Sequence, residues 1–160
     1  MIPSTLVCLL ALLPIGSMAA PPSDSVDFRL ERHQWEHRLL FVFAPADAGD
    51  ALPRQEEQFR GRDEGFRDRD LLLVTVRGTE QGTRREQPGA DPRPLTEGAA
   101  RRLRERFSVP PDSFRVVLVG KDGTEKRRDP EPVAARSLFD TIDAMPMRQR
   151  EMREQGNGGG

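Results

Sequence analysis

The stretch His33-Gln34-Trp35-Glu36-His37 contains residue types that could bind a catalytic metal ion. It matches the H-x-x-E-H pattern of one class of zinc metalloproteases. Two histidines four residues apart on a helix can share one zinc ion, and the Glu36 carboxylate could activate a zinc-bound water. However, the chain has no third histidine, and the stretch leads directly into an apolar segment. A metal-dependent hydrolase is therefore the alternative hypothesis, beside a structural interpretation in which His33 and His37 flank an anchoring tryptophan.

A second polar group follows the two most apolar segments of the chain. Asp47 and Asp50 come after the first segment, and Arg77 ends the second. If both segments are strands of one open α/β sheet, their carboxyl ends lie at the edge where such sheets bind ligands. This set could hold a small anion or a peptide. In the structural interpretation, Asp50 caps the following helix and Asp47 forms an ion pair.

Trp35 and Arg38 form a third group just before the first apolar segment. They are further candidates for a binding surface. The structural interpretation is that they attach the entry segment to the core. Ser108, Ser113 and Ser137 have no histidine nearby in sequence, and no Gly-rich phosphate loop is present, so the sequence predicts neither a Ser-His-Asp triad nor a cofactor.

The only cysteine, Cys8, lies in an N-terminal apolar run from Leu6 to Leu13. The run is followed by Ser17-Met18-Ala19, a small-residue pattern typical of signal-peptide cleavage. We predict a signal peptide over residues 1–19 and a periplasmic or secreted protein with no transmembrane segment in the mature chain. A retained membrane anchor is the competing interpretation, although the run is shorter than the roughly 20 residues that span a bilayer. Removal of Cys8 would exclude thiol oxidoreductase chemistry.

The formal net charge of -1 gives no overall positive field for a nucleic-acid partner. The remaining chain has a length typical of one domain. We predict a flexible leader over residues 20–27, one domain over 28–147 and a disordered tail over 148–160, with weak helical character as far as Arg153.

Hydrophobic patterning predicts alternating strands and helices. Leu39 to Phe43 is apolar on both faces, which is typical of a central strand. Near residues 28–35 we expect a short helix or turn that packs Phe28 or Trp35 onto the sheet. The predicted strands are 39–43, 71–76, 114–119 and 124–128, and the predicted helices are 50–61, 96–107 and 133–144. Residues 65–70 are predicted to form a charged turn, and residues 77–94 a long loop.

The helix over 96–107 should begin at Thr96 as its N-cap and place its charged residues outward. These outward residues are Arg101, Arg102, Arg104, Glu105 and Arg106. The element order predicts an α/β thioredoxin-like three-layer sandwich, βαβαββα, with a four-stranded mixed sheet. In that arrangement the first strand lies between the second and third. The loop that follows it, Ala44 to Asp50, is where thioredoxins carry a reactive cysteine, and here it has none.

Three segments together resemble the DUF4174 family: Trp35 to Pro45, Gly65 to Leu71, and Phe114 to Gly123. The resemblance covers roughly Val26 to Met147. It implies a thioredoxin- or peroxiredoxin-like fold in a family of small exported bacterial proteins and secreted animal matrix proteins, with no established catalytic residues to transfer. Where thioredoxins place a proline before the third strand, this chain has Ser113, which also counts against redox activity.

We therefore expect a thioredoxin-like module without a catalytic cysteine, and a binding protein rather than an enzyme. Its expected partner is a protein, a peptide or an envelope component. The expected binding edge consists of Asp47, Asp50, Arg77 and the loop over 77–94.

Overall fold

A mixed β-sheet with helices on both faces forms the domain in the computed structural model, which describes residues 24–47 and 49–158. The predicted signal peptide lies outside the described residues. The strands are β1 (Arg38–Ala44), β2 (Leu71–Arg77), β3 (Gln81–Arg85), β4 (Arg93–Pro94), β5 (Arg115–Val119) and β6 (Glu125–Asp129). The helices are α1 (Ala51–Phe59), α2 (Asp63–Asp68), α3 (Glu97–Phe107), α4 (Ala135–Asp143) and α5 (Pro146–Asn157), and a 3₁₀ helix, Leu30–His33, precedes β1.

The strand order is β4-β3-β2-β1-β5-β6. The central strand β1 pairs in parallel with β2 and antiparallel with β5. All seven residues of β1 are buried, as its apolar sequence predicts. The hairpin between β5 and β6 is also confirmed, and its turn includes Gly123 at φ 77°, a backbone conformation that favours glycine.

Side chains on alternate positions of β1 enter two separate cores. Leu39, Phe41 and Phe43 pack toward α3 and the segment before β1, whose Phe28 is 2% exposed. Leu40 and Val42 pack on the other face, toward α1, α2 and α4. The three-layer sandwich predicted from the sequence is therefore confirmed.

The sheet has six strands, and the prediction of four is wrong. Two short strands, β3 and β4, occupy the segment predicted to be the 77–94 loop. β3 is polar and half-exposed along most of its length, with Gly82 at its second position, so it carries no apolar period. It is held by antiparallel pairing with β2, which is a backbone interaction that side-chain patterning does not reveal.

The predicted charged turn over 65–70 is also wrong, because residues 63–68 form α2, which buries the ring of Phe66.

Neither of the two predicted N-cap residues makes a side-chain capping hydrogen bond. Asp50 itself has helical dihedral angles (φ -87°, ψ -14°), and the Thr96 side chain makes no hydrogen bond to the first turn of α3. At the start of the described chain, the Val26 N–H donates to the Pro94 carbonyl oxygen at 2.8 Å. The end of the predicted flexible leader is thus attached to the sheet edge.

Helix α5 occupies most of the segment predicted to be a disordered tail. Its one buried residue is Arg148, and no described helix is long and apolar enough to cross a bilayer. α5 is therefore held to the domain by charged side chains rather than by apolar burial.

Four cationic and four anionic side chains form the network beneath α5, here called the α5 ion network. Its members are Arg38, Arg69, Lys121, Arg148, Asp68, Asp70, Asp143 and Glu151.

Glu151 is the member of α5 that reaches the sheet. Its carboxylate lies 3.1 Å from the Arg38 guanidinium and 2.9 Å from the Lys121 ammonium. Burial acts to raise the pKa of Glu151, but the hydrogen bonds from Arg38 and Lys121 outweigh that effect and lower the pKa. The charged carboxylate is therefore favoured in the folded state.

Replacing Glu151 should destabilise the fold, because the buried Arg38 would lose its carboxylate partner. We expect Glu151→Ala to lower the free energy of unfolding by about 3 kcal/mol in urea titrations at pH 7. Glu154→Ala, an exposed change on the same helix, should cost less than about 0.5 kcal/mol. Because the folded-state pKa of Glu151 is below its ordinary value of 4.5, the difference between wild type and Glu151→Ala should shrink as pH falls below 4.5. Equal effects of the two substitutions would contradict the role of the network.

Candidate functional site

The H-x-x-E-H stretch does not form a helical metal site. His33 ends the four-residue 3₁₀ helix, and residues 34–36 form a turn in which Trp35 has a positive φ of 68°. The Glu36 carboxylate is exposed and lies 4.0 Å from the His37 ring nitrogen. Within residues 24–47 and 49–158, no group of three potential ligands is arranged for a metal ion. The structure gives the hydrolase alternative no support.

His33 has a packing role instead. Its ring stacks on Phe28, with the ring centroids 4.7 Å apart. Burial lowers the pKa of His33 to about 4, and the positive charge of Arg84 acts in the same direction. His33 is therefore neutral at physiological pH.

The five predicted binding residues divide between the two ends of β1. Trp35 and Arg38 lie at its start, whereas Asp47 and Asp50 follow its end. A seven-residue strand separates these ends by about 20 Å. Trp35 is 66% exposed, so the interpretation that it anchors the entry segment is wrong, and Phe28 does so instead. Arg38 is 1% exposed and belongs to the α5 ion network.

A groove of about 600 Å³ lies at the carboxyl end of the sheet and contains two of the predicted residues, Asp47 and Arg77. Asp50 is not among its lining residues. The Arg77 guanidinium donates to the Ala46 carbonyl oxygen at 3.3 Å, which ties the end of β2 to the loop after β1. Asp47 makes no ion pair with any described residue, so its predicted structural role is wrong.

Three carboxylates and one guanidinium line this groove, here called the carboxyl-end groove. The carboxylates are those of Asp47, Glu80 and Asp112, and all three residues are exposed. The guanidinium of Arg77 already has a backbone acceptor. The electrostatic character of the groove is therefore acidic.

The residue that supports this groove from below is Arg104, which the sequence interpretation placed outward. Arg104 is 3% exposed, and that prediction is wrong. Its guanidinium donates to the carbonyl oxygens of Ala44, Gly78 and Pro110, which end β1, follow β2 and precede β5. It also lies 5.5 Å from the ring centroid of Phe43. One side chain thus holds together the three backbone segments that surround the groove.

The burial of Arg104 carries an electrostatic cost. Desolvation lowers the pKa of Arg104, and the negative charge of Asp112 partly opposes this effect. Its hydrogen-bond acceptors are neutral carbonyls rather than a carboxylate, so carbonyl dipoles and the nearby charge of Asp112 compensate the cation without a direct ion pair. A sequence signal was present, because position 104 lies four residues after buried Ala100 and three before buried Phe107, on the inward face of α3.

The family can now be assigned. A family model described as a domain of unknown function, DUF4174, matches residues 29–151. The chain belongs to the DUF4174 family. Coiled-coil domain-containing protein 80 of Danio rerio is 27% identical to this DUF4174 protein in an alignment of length 141, which covers 82% of the chain but 16% of that relative. The chain therefore spans only a small part of the curated relative that it matches.

Two solved structures show the fold of this DUF4174 domain. The reduced 2-Cys peroxiredoxin of Plasmodium vivax gives a TM-score of 0.54 at 12% identity, with 76% of this chain and 84% of that chain covered. The thioredoxin peroxidase I of Plasmodium yoelii gives 0.55 at 14% identity, with 76% and 79% covered. At these identities the similarity establishes a thioredoxin-like fold and carries no catalytic assignment.

The role of Arg104 predicts a large loss of stability on truncation. Arg104→Ala removes the donors to at least three buried carbonyl oxygens, and we expect a decrease of about 3 kcal/mol in the free energy of unfolding. Arg104→Lys should recover only part of it, because a single ammonium cannot reach the same acceptors in a fixed plane. The matched control is Arg101→Ala, which breaks only the exposed pair with Glu97 and should cost less than about 0.5 kcal/mol. Wild-type stability in Arg104→Ala would contradict this role.

The environment of His33 predicts its titration. In an NMR pH titration the His33 ring should take up its proton at about pH 4. Because the folded-state pKa is below the ordinary value of 6.5, the unfolded chain binds more protons between these values, and stability falls as pH decreases from 6.5 towards 4. His33→Phe, which keeps an aromatic ring against Phe28, should show less of this dependence than wild type. A midpoint near 6.5 would contradict the buried position of the ring.

Proposed function

We propose that this protein is an exported, non-redox thioredoxin-like module that binds an extended segment of a partner protein in the carboxyl-end groove. The proposal depends mainly on one observation: the groove lies where thioredoxins carry a reactive cysteine, but the loop from Ala44 to Asp50 has no thiol. The same edge of an open α/β sheet is a general position for ligand binding. A retained groove without a nucleophile favours recognition over thiol chemistry.

The groove supports a protein ligand by its size and stability. At about 600 Å³ it can receive a few side chains of an extended segment. Arg104 fixes its floor through backbone carbonyls, so little ordering is required on binding. Among the expected partners, a peptide segment of a protein fits this shape better than a small anion does.

Charge selects the kind of segment. Asp47, Glu80 and Asp112 supply three carboxylates, whereas Arg77 supplies the only cation among the described residues of the lining. Complementary charge favours a segment with lysine or arginine side chains. We therefore propose a basic peptide segment as the ligand, and the predicted signal peptide over residues 1–19 suggests that the partner is an envelope or extracellular protein.

Selection from a random peptide library on the purified protein tests this proposal. We expect the enriched peptides to be basic, and fluorescence anisotropy should give an affinity that is about three- to fivefold lower for Asp47→Ala and for Glu80→Ala, because each change removes one carboxylate from the groove. Asp140→Ala removes an exposed carboxylate from α4, outside the groove, and should leave the affinity unchanged.

The proposal would be wrong if the enriched peptides lacked basic residues, or if the two groove substitutions had the same effect as Asp140→Ala. Both groove residues are exposed and make no ion pair with a described residue. Their replacement therefore tests recognition without disturbing the fold.

A further inference from the structure

A second concave site lies at the other end of the sheet. It has a volume of about 480 Å³ and is bounded by the β5–β6 turn, the end of α4 and the start of α5. Its apolar wall consists of Ala144, Met145, Pro146 and Met147. Pockets of this volume with mostly apolar walls and few polar groups are typical of small-molecule sites.

The polar groups of this cavity, here called the α4–α5 cavity, are mainly basic. Arg38, Lys121, Lys126 and Arg150 line it, against a single carboxylate, that of Asp122. Arg38 and Lys121 are neutralised by the α5 ion network, and Lys126 pairs with Asp122 at 2.7 Å. Arg150 makes no ion pair with any of the residues that the structure describes. The cavity therefore carries one uncompensated positive charge beside its apolar wall.

Arg38 forms a deeply buried part of the lining. Two of its guanidinium nitrogens donate to the Arg69 carbonyl oxygen and to the Glu151 carboxylate. The third, Nε, has no hydrogen-bond acceptor among the described residues, but this atom is itself buried and out of reach of a ligand in the cavity. Arg38 is therefore part of the cavity wall and not a contact of the ligand.

We propose that the α4–α5 cavity binds a small amphipathic carboxylate. Its apolar body packs against Met145, Pro146 and Met147, and its carboxylate interacts with Arg150 and Lys126. A cationic ligand would meet the uncompensated positive charge of Arg150, and a strongly polar anion would leave the apolar wall uncovered. A single carboxylate on an aliphatic body matches both parts of the lining.

This ligand would also stabilise the docking of α5. Met147 and Arg150 belong to α5, whereas Lys126 belongs to β6, so a bound carboxylate connects the helix to the sheet. A ligand that binds only the folded state raises the midpoint of thermal unfolding. Thermal stability therefore provides a second readout that is independent of the binding measurement.

Calorimetric titration with octanoate, acetate and octylammonium tests the proposal on the purified full chain. Octanoate should bind saturably at one site per chain. Acetate lacks the apolar body and octylammonium reverses the charge, so each should bind at least about tenfold more weakly, a difference that one lost interaction of ordinary strength produces. Octanoate should also raise the thermal midpoint, and the other two probes should not.

Three substitutions locate the site on α5. Arg150→Ala should weaken octanoate binding about fivefold, since it removes the unpaired cation. Met147→Trp should reduce binding further by filling the cavity. Arg153→Ala removes an exposed cation from the same helix outside the cavity and should leave octanoate binding unchanged.

Three results would overturn the proposal. The first is no saturable octanoate binding up to about 10 mM, which is about ten times the dissociation constant of a weak, 1 mM ligand. The second is equal affinity for octanoate and octylammonium, and the third is an Arg150→Ala protein that binds octanoate like Arg153→Ala. Because Arg150 is exposed, its replacement is informative even if Met147→Trp fails to fold. None of these results bears on the carboxyl-end groove.

Discussion

The fully buried strand β1 is held at each end by an arginine that is itself buried. Arg38 begins the strand and joins the α5 ion network, whereas Arg104 reaches from α3 to the carbonyl oxygen of Ala44, the last residue of the strand. Burying a guanidinium is expensive unless its donors are satisfied. The two arginines are satisfied differently, because Arg38 pairs directly with a carboxylate, whereas the hydrogen bonds of Arg104 all go to carbonyl oxygens. Arginine suits both positions because its planar group carries five donors and stays charged.

These two arginines decide how each end of the sheet can be used. At the carboxyl end, Arg104 connects β1, β2 and the segment before β5, so the groove floor is a fixed arrangement of backbone. At the opposite end, Arg38 anchors α5 through Glu151, and α5 contributes one wall of the α4–α5 cavity. The first end depends mainly on hydrogen bonds to neutral carbonyl groups. The second end depends on carboxylates of lowered pKa, including Asp143 and Glu151, and weakens as they become protonated.

The sequence predicts the elements whose stability comes from apolar side chains and misses those held by backbone or charge. β1, β2 and the β5–β6 hairpin follow from continuous apolar runs and an Asp-Gly turn, and the central place of β1 follows from its two apolar faces. β3 has no apolar period because backbone pairing with β2 holds it. α5 has only one buried residue, Arg148, and one of its ion pairs is with Asp68, 80 positions away in sequence. No local pattern contains that information.

The site residues follow the same division. Asp47 and Arg77 meet in one groove because the carboxyl ends of two parallel strands meet, which topology alone predicts. The anchoring role expected of Trp35 depends on its residue type, because a lone tryptophan is usually buried. In the structure the chain turns at Trp35 with a positive φ, and Phe28 fills the core position instead. The outward position expected of Arg104 also depends on residue type, because arginine is mostly exposed in proteins. Its helical position relative to Ala100 and Phe107 nevertheless indicates the inward face. Periodicity was the better guide in that case.

The acidic carboxyl-end groove and the α4–α5 cavity lie at opposite ends of β1. All the residues that give the groove its charge lie in loops or at strand ends, outside the two cores. The absence of a thiol concerns only the loop from Ala44 to Asp50. The strands beside β1 and the contacts of Arg104 are all present around this loop. The linings of the two ends differ in charge, because carboxylates predominate in the groove, whereas the cavity combines an apolar wall with the uncompensated cation of Arg150. This difference is the physical basis for proposing recognition of a basic segment at one end and of a small carboxylate at the other.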